Sequence, residues 1–254
     1  MSARIIAQSV RTALRSSLRT QLVRSAIPKV AYTANFSTSF LRKNEVSKQL
    51  NEVLANELKF EEADSFGLDE SFKTYIEQNN IEIVNTDGKV LAELVKKVGD
   101  ETLHIYFDVL RISQTSYQLK QMQDQMEDSE YLDEEVADMA HADVNVVIVK
   151  GKSATGFDLS LSLIDSSFSV AAITYFEDAS IALSDSPEAG AIRDLKYSGP
   201  DFGNLAEELQ EAINQYLHSR GLDNNLAEFI LAYSGVKENN EYLDWLENLK
   251  KFTA

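Results

Sequence analysis

The sequence predicts an α+β domain: an antiparallel sheet of about seven strands flanked by one N-terminal and two C-terminal helices. Two sets of short segments between residues 81 and 176 alternate apolar and polar residues with a period of two. Both ends of the chain carry apolar residues at three-to-four spacing instead. Only three prolines and ten glycines interrupt 254 residues, so most of the chain is free to form regular structure.

In chain order, NEVSKQLNEVLANELKFEE puts Val46, Leu50, Val53, Leu54 and Leu58 on one face of a helix. Asp69 is a candidate cap for a short helix through Phe72, Tyr75 and Ile76. IEIVNTDGKVLAELVKKVGDETLHIYFDV then reads as three strands split at Asp87-Gly88 and Gly99-Asp100, with Leu103, Ile105, Phe107 and Val109 alternating along the third. A second set, VNVVIVKG, FDLSLSL and SFSVAAITYF, breaks at Gly151 to Gly156 and at Asp165-Ser166. A short strand near Leu195 to Tyr197 completes the expected sheet. Asn204 with Glu207 resembles a capping box, followed by the stripe Leu205, Leu209, Ile213, Tyr216 and Leu217 and a left-handed stop at Gly221. Asn225 with Glu228 restarts a helix carrying Phe229, Ile230, Tyr233, Tyr242, Trp245, Leu246 and Leu249. A one-sided sheet needs its apolar face covered, and the two terminal stripes are candidate covers, against the sheet or against another copy.

Charge divides the chain sharply. The 24 bases and 41 acids give a net of minus 17, yet no acid precedes Glu45. Eight bases lie in that stretch, so the remainder sets 16 against all 41 acids, a net of minus 25. An Arg-rich, Ser/Thr-rich, acid-free leader is the composition of a mitochondrial transit peptide. We therefore expect a targeting segment over residues 1–43, cleaved between about Arg24 and Glu45, and a single acidic domain over 44–254. A basic nucleic-acid-binding arm is the alternative, disfavoured by the alternation of arginines with apolar residues and the lack of lysine clusters. No run of about 18 apolar residues spans a bilayer, which leaves only peripheral association with a membrane.

Most catalytic chemistry lacks its residues. With no cysteine there is no disulfide, thiolate site or cysteine nucleophile. The tripeptide Gly151-Lys152-Ser153 lacks the glycine that a phosphate loop needs five residues earlier, where Val146 stands, and reads as a hairpin turn. His104, His141 and His218 form no paired ligand motif, so neither a metal nor a cofactor is expected. Acids abound, but a hydrolase needs a carboxyl in a dry pocket, whereas acids in a polar run are solvated.

The densest run is DQMEDSEYLDEEVAD, residues 124–138, which holds Asp124, Glu127, Asp128, Glu130, Asp133, Glu134, Glu135 and Asp138 without one base. Its composition is too charged to bury, so it reads as a mobile loop over about 118–142 between the strand sets. Three roles fit it: a solvated insertion, a negative field that concentrates cationic partners, or weak Ca2+ buffering without a tight Asp-x-Asp-x-Asp-Gly loop. Direct nucleic-acid binding by the acidic body is disfavoured, because phosphates would meet its negative charge.

The segment YSGPDFGNLAEELQEAINQYLHSRGLDNNLAEFILAYSGVKENNEYLDWLENLKKF, with SRG at Ser219 to Gly221 and NNEYLDWLENLKKF at Asn239 to Phe252, resembles the ending of the mitochondrial acidic matrix protein family. VLAELVKKVGDETLHIYFDV is similar to that family's second and third strands. The likeness runs from about Glu45 to the end and is nearest the fungal branch. It implies a twisted seven-stranded antiparallel sheet, assembled as a ring-shaped homotrimer held by the helices Val46 to Leu58 and Leu226 to Leu249. It also implies a non-enzymatic protein of the mitochondrial matrix that binds basic, ribosomal partners in a chaperone-like way and supports translation and oxidative phosphorylation.

Overall fold

The computed structural model describes residues 39–125 and 139–254. Six strands lie in consecutive order, each antiparallel to its neighbours: β1 (Ile81–Val84), β2 (Leu91–Val98), β3 (Glu101–Asp108), β4 (His141–Lys150), β5 (Ser153–Ser162) and β6 (Ser167–Phe176). The helices are α1 (Ser39–Asp64), α2 (Glu70–Gln78), α3 (Val109–Gln125), α4 (Ala179–Leu183), α5 (Pro187–Leu195), α6 (Glu207–His218) and α7 (Asn224–Thr253). The α+β class and the antiparallel meander are as expected.

The hairpins follow from their turn residues. Gly99-Asp100 and Gly151-Lys152 are two-residue loops with φ of 61° at each glycine, the left-handed first position that suits the twist of paired strands. Period-two alternation then sorts side chains by face. Leu94, Leu103, Ile105, Phe107, Val144, Val146, Phe157, Leu159 and Leu161 form a buried layer. Over it lie Leu226, Ala227, Phe229 and Ile230 of α7, Val109 and Ile112 of α3, Leu217 of α6, and partly buried Phe72, Tyr75 and Ile76 of α2. Phe229 is the hub, with ring centroids 6.1 Å from Phe72, 6.0 Å from Tyr75 and 5.7 Å from Tyr233. A bulge where Asp158 pairs Ala172 but Leu159 pairs Val170 turns both Val170 and Ile173 toward this layer.

Four details depart from the sequence reading. Among the described residues the sheet has six strands, not seven. Leu195 ends α5, which Ser186 caps through its hydroxyl, and Tyr197 is exposed. That segment meets edge strand β6 through one backbone bond, Ile173 N–H to Ser198 O at 3.4 Å, without a ladder. Val109 opens α3 rather than ending β3, because Val109, Ile112, Leu119 and Met122 shift to helical spacing. Of the expected loop over 118–142, α3 takes the start and β4 the end. Asn204 belongs to a 3-10 turn (Phe202–Asn204), so α6 starts at Glu207 after Ala206 with no side-chain cap, while α7 is capped by Asp223 rather than Asn225. Asp69 does cap α2, accepting the Ser71 N–H at 2.8 Å, and Gly221 does take a left-handed φ of 80°.

Candidate functional site

The acidic run begins where α3 ends. Asp124 stands in the last turn of α3, and Glu127, Asp128, Glu130, Asp133, Glu134, Glu135 and Asp138 lie outside the described residues. What the structure shows is its base. Leu119 and Ala140, both buried, pack with Met122 and Leu163, and Leu163 N–H donates to Ala140 O at 2.8 Å. The end of α3 and the start of β4 are therefore joined by an apolar clasp.

Elsewhere the acids are mostly exposed and few have a cationic partner. Among the described residues the ion pairs engage Glu70, Glu93, Asp100, Glu101, Glu241 and Glu247. Several others serve helix starts: Asp178 caps α4, and Glu188, Glu207 and Glu208 occupy first turns, where the helix dipole favours negative charge. Bonds from the Ser180 backbone and hydroxyl hold the Asp178 carboxyl below its usual range.

Glu101, 6% exposed, is the buried exception. Arg220 Nε donates to its Oε2 at 3.0 Å, Tyr216 OH donates to Oε1 at 3.2 Å, and the guanidinium carbon lies 3.6 Å above the Tyr216 ring. The Arg220 hydrogen bond, reinforced by its charge, by Tyr216 and by Lys150, keeps this carboxyl below the usual range despite burial. A second clamp uses Lys237, also 6% exposed, which donates to Thr86 O at 3.1 Å and Glu241 Oε1 at 2.6 Å. Glu241 in turn accepts the Gly88 N–H at 2.9 Å, so α7 holds the β1–β2 hairpin tip.

The expected helix-packing residues divide in two. Leu54 and Leu246 are buried, Phe229 and Ile230 are fully buried, and Leu58, Tyr233, Tyr242 and Leu249 are half-buried. Val46, Leu50, Val53 and Trp245 are exposed, and Phe60 and Phe252 join them. α1 runs antiparallel to the outer half of α7: Asn51 Nδ2 donates to Lys250 O at 2.6 Å, Tyr242 OH donates to Glu57 Oε1 at 3.4 Å, and Asn239 Nδ2 donates to Ser65 Oγ at 3.4 Å.

The sheet's other face holds a feature that sequence reading missed. In register across four strands stand Glu93, Tyr106, Asn145 and Asp158. His104 Nδ1 lies 2.8 Å from Glu93 Oε1, and Asn145 Nδ2 donates to Asp158 Oδ1 at 2.7 Å. Val147, Ala154 and Phe176 pack against Ala179 and Ala182 of α4, which roofs part of this face. Between roof and belt lies a cavity of about 400 Å³ lined by Leu91, Tyr106, Asn145, Asp158, Asp185 and Arg193, among others. Burial and the neighbouring Glu93 and Asp185 charges push the Tyr106 phenol above its usual value. The signal was present in the strands, as polar residues at every second position, but it read as ordinary solvent-facing alternation.

A family described as Mitochondrial glycoprotein (MAM33) matches residues 54–253, most of the described domain. The chain belongs to the mitochondrial glycoprotein family. Among family relatives, the mitochondrial acidic protein mam33 of Schizosaccharomyces pombe is 28% identical over 185 residues, 68% of each chain. An uncharacterized mitochondrial protein of Arabidopsis thaliana is 38% identical over 58 residues, 23% of each chain. Two solved structures share the fold. A Leishmania major protein described as a homologue of human p32 has a TM-score of 0.61 at 21% identity, over 82% of this chain and 99% of its own. The Trypanosoma brucei p22 protein has a TM-score of 0.61 at 22% identity with the same coverage.

Within this mitochondrial glycoprotein fold the histidines are dispersed: His104 pairs with Glu93, His141 lies 3.3 Å from Ser160 Oγ, and His218 ends α6. Among the described residues no three His, Asp or Glu side chains group to hold a metal, and no helix is long and apolar enough to cross a membrane. The Gly151-Lys152-Ser153 segment is the expected β4–β5 hairpin.

Proposed function

We propose that this mitochondrial glycoprotein family member is a non-enzymatic, chaperone-like protein of the mitochondrial matrix that holds basic proteins on its acidic surface. In this reading the clients are ribosomal proteins awaiting RNA, and their protection supports ribosome assembly, translation and oxidative phosphorylation. One observation carries it: 41 acids face 16 bases after residue 43, and most described acids are exposed without a cationic partner. Such a field attracts cationic chains and raises their encounter rate by about tenfold to a thousandfold at low salt. Asp124, Glu127, Asp128, Glu130, Asp133, Glu134, Glu135 and Asp138 supply the densest part of it. The exposed apolar residues Val46, Leu50, Val53 and Trp245 would be covered by neighbouring copies in a homotrimer.

Crosslinking in intact mitochondria with identification of partners tests the role, alongside native mass measurement of the free protein. Ribosomal proteins among the partners and a mass of three chains are the expected results. A partner set without basic proteins would remove the proposal's support. Neutralising the acids of residues 124–138 should slow capture of a basic ribosomal protein in low salt; unchanged kinetics would place the capture surface elsewhere.

A further inference from the structure

We propose that the trough on the sheet's second face, roofed by α4 and the loop to α5, is a subsite for a cationic side chain of a basic polypeptide segment. The inference rests on the acidic-surface reading above and gives that surface a specific place of engagement. The trough is longer than one cavity. A second space of about 340 Å³, lined by Thr86, Lys89, Glu93 and His104, shares Leu91, Tyr106, Leu183 and Asp185 with the first. The two spaces adjoin along these four residues, and together their linings run from the β1–β2 hairpin tip to α5.

Its walls combine what an arginine or lysine side chain needs. Leu91, the Tyr106 ring and Leu183 offer apolar surface to an aliphatic stem. Glu93, Asp158, Asp185 and Asp194 ring the trough with carboxylates, while its bases are Lys89, His104 and Arg193. Two of those bases are already engaged. His104 pairs with Glu93, and Arg193 Nη1 donates to Ile181 O at 2.8 Å and Ser184 O at 2.6 Å. These bonds also fix the roof: the loop that carries Asp185 is tied to α5 before any partner arrives, so little ordering cost remains. At the hairpin end Thr86 lines the second space, and its buried Oγ1 has no hydrogen-bond partner among the described residues. An anionic partner would be repelled by Asp158, Asp185 and Asp194, and an uncharged one would gain no charge pairing with them.

The test uses the full chain and a fluorescent nine-residue peptide of alternating arginine and alanine, with a citrulline-for-arginine peptide as the uncharged control. In low salt the wild type should bind the arginine peptide and not the citrulline one. Asp158→Asn with Asp185→Asn keeps an oxygen for the Asn145 amide and should weaken binding about tenfold. Glu228→Gln with Asp244→Asn, two exposed acids of α7 matched in charge, should weaken it less than about twofold. Thr174→Tyr narrows the trough without changing charge and should also weaken binding, and thermal melting verifies that each variant is folded. Equal losses from the two charge-matched pairs, or no loss from the trough pair, would overturn the subsite. If the trough pair binds normally while neutralising residues 124–138 abolishes capture, the subsite fails and the acidic-surface function stands. If a free polyamine displaces the dye-labelled peptide but basic proteins never protect Tyr106 from chemical modification, the polypeptide assignment fails.

Discussion

At the scale of single residues, Glu101 and Arg220 show how a short motif acts. The Ser219-Arg220-Gly221 sequence ends α6, and each residue has a separate task. Gly221 takes a φ of 80°, which lets Leu222 N–H reach Leu217 O at 3.2 Å and close the helix. A Cβ there would also displace the tip of the flexible Lys96 side chain, at small further cost. Gly221→Ala should therefore cost about 1–2 kcal/mol in urea denaturation. Arg220 joins the helix end to the β2–β3 turn through Glu101. Removing the acid leaves a guanidinium that is about three-quarters buried, so Glu101→Gln should cost about 2–3 kcal/mol, less than a fully buried pair because Lys150 and solvent remain near. Arg220→Lys should lose part of the same contribution although it keeps the charge, since an ammonium neither forks across the carboxylate nor stacks on Tyr216. The folded-state pKa of Glu101 lies below its unfolded value near 4.5, so its contribution is present above that value and disappears as pH falls through the lower folded one. A Glu101→Gln variant should match the wild type in stability once pH is below that window. Neither partner was identifiable from sequence, because 119 residues separate them and both read as surface charges.

The elements were legible where periodicity stayed uniform and illegible where it changed at a junction. β3 and the middle of β5 alternate cleanly, so their faces could be assigned from Leu103, Ile105, Phe107, Phe157, Leu159 and Leu161 alone. Val109 fits both the strand's alternation and the first position of α3, and reading it as strand concealed a 17-residue helix. The terminal stripes were legible as helices, but not which side met the domain. Leu246 is 2% exposed against 55% for its neighbour Trp245. Leu246→Ala should thus destabilise the monomer fold by about 2–5 kcal/mol, whereas Trp245→Ala should leave unfolding nearly unchanged and reduce the native mass if copies cover that face. Between α1 and α7, Glu238 is raised above the usual carboxyl value by burial and then by Glu61, and Tyr242 faces Glu57, Glu61 and Glu238. Here the sign is opposite to Glu101. The folded state binds the Glu238 proton more tightly than the unfolded one, so stability rises as pH falls from the folded pKa toward 4.5. Glu238→Gln should stabilise the helix pair at neutral pH and remove that part of the pH dependence, as read by melting across pH 4 to 7.

For the whole molecule, the excess of acids has opposite consequences for the fold and for the proposed capture of basic proteins. Twenty-five uncompensated negative charges after residue 43 repel one another in the compact state more than in the expanded chain, so the field proposed to draw cationic clients also strains the domain that carries it. The apolar layer around Phe229 and the Glu101 and Lys237 clamps hold against that repulsion without changing the net charge, because the layer is uncharged and each clamp pairs an acid with a base. Added salt shortens the screening length from about 30 Å at 0.01 M to about 8 Å at physiological strength, which weakens both effects together. The melting temperature should rise by several degrees over that range as self-repulsion fades. Over the same range, association with a basic protein should slow by about tenfold or more. Circular dichroism and stopped-flow fluorescence on one salt series would measure the pair. A falling melting temperature would mean that the few exposed ion pairs outweigh the repulsion. Salt-independent association would mean that apolar contact, centred on the Trp245 and Val53 stripes, and not charge, captures the partner.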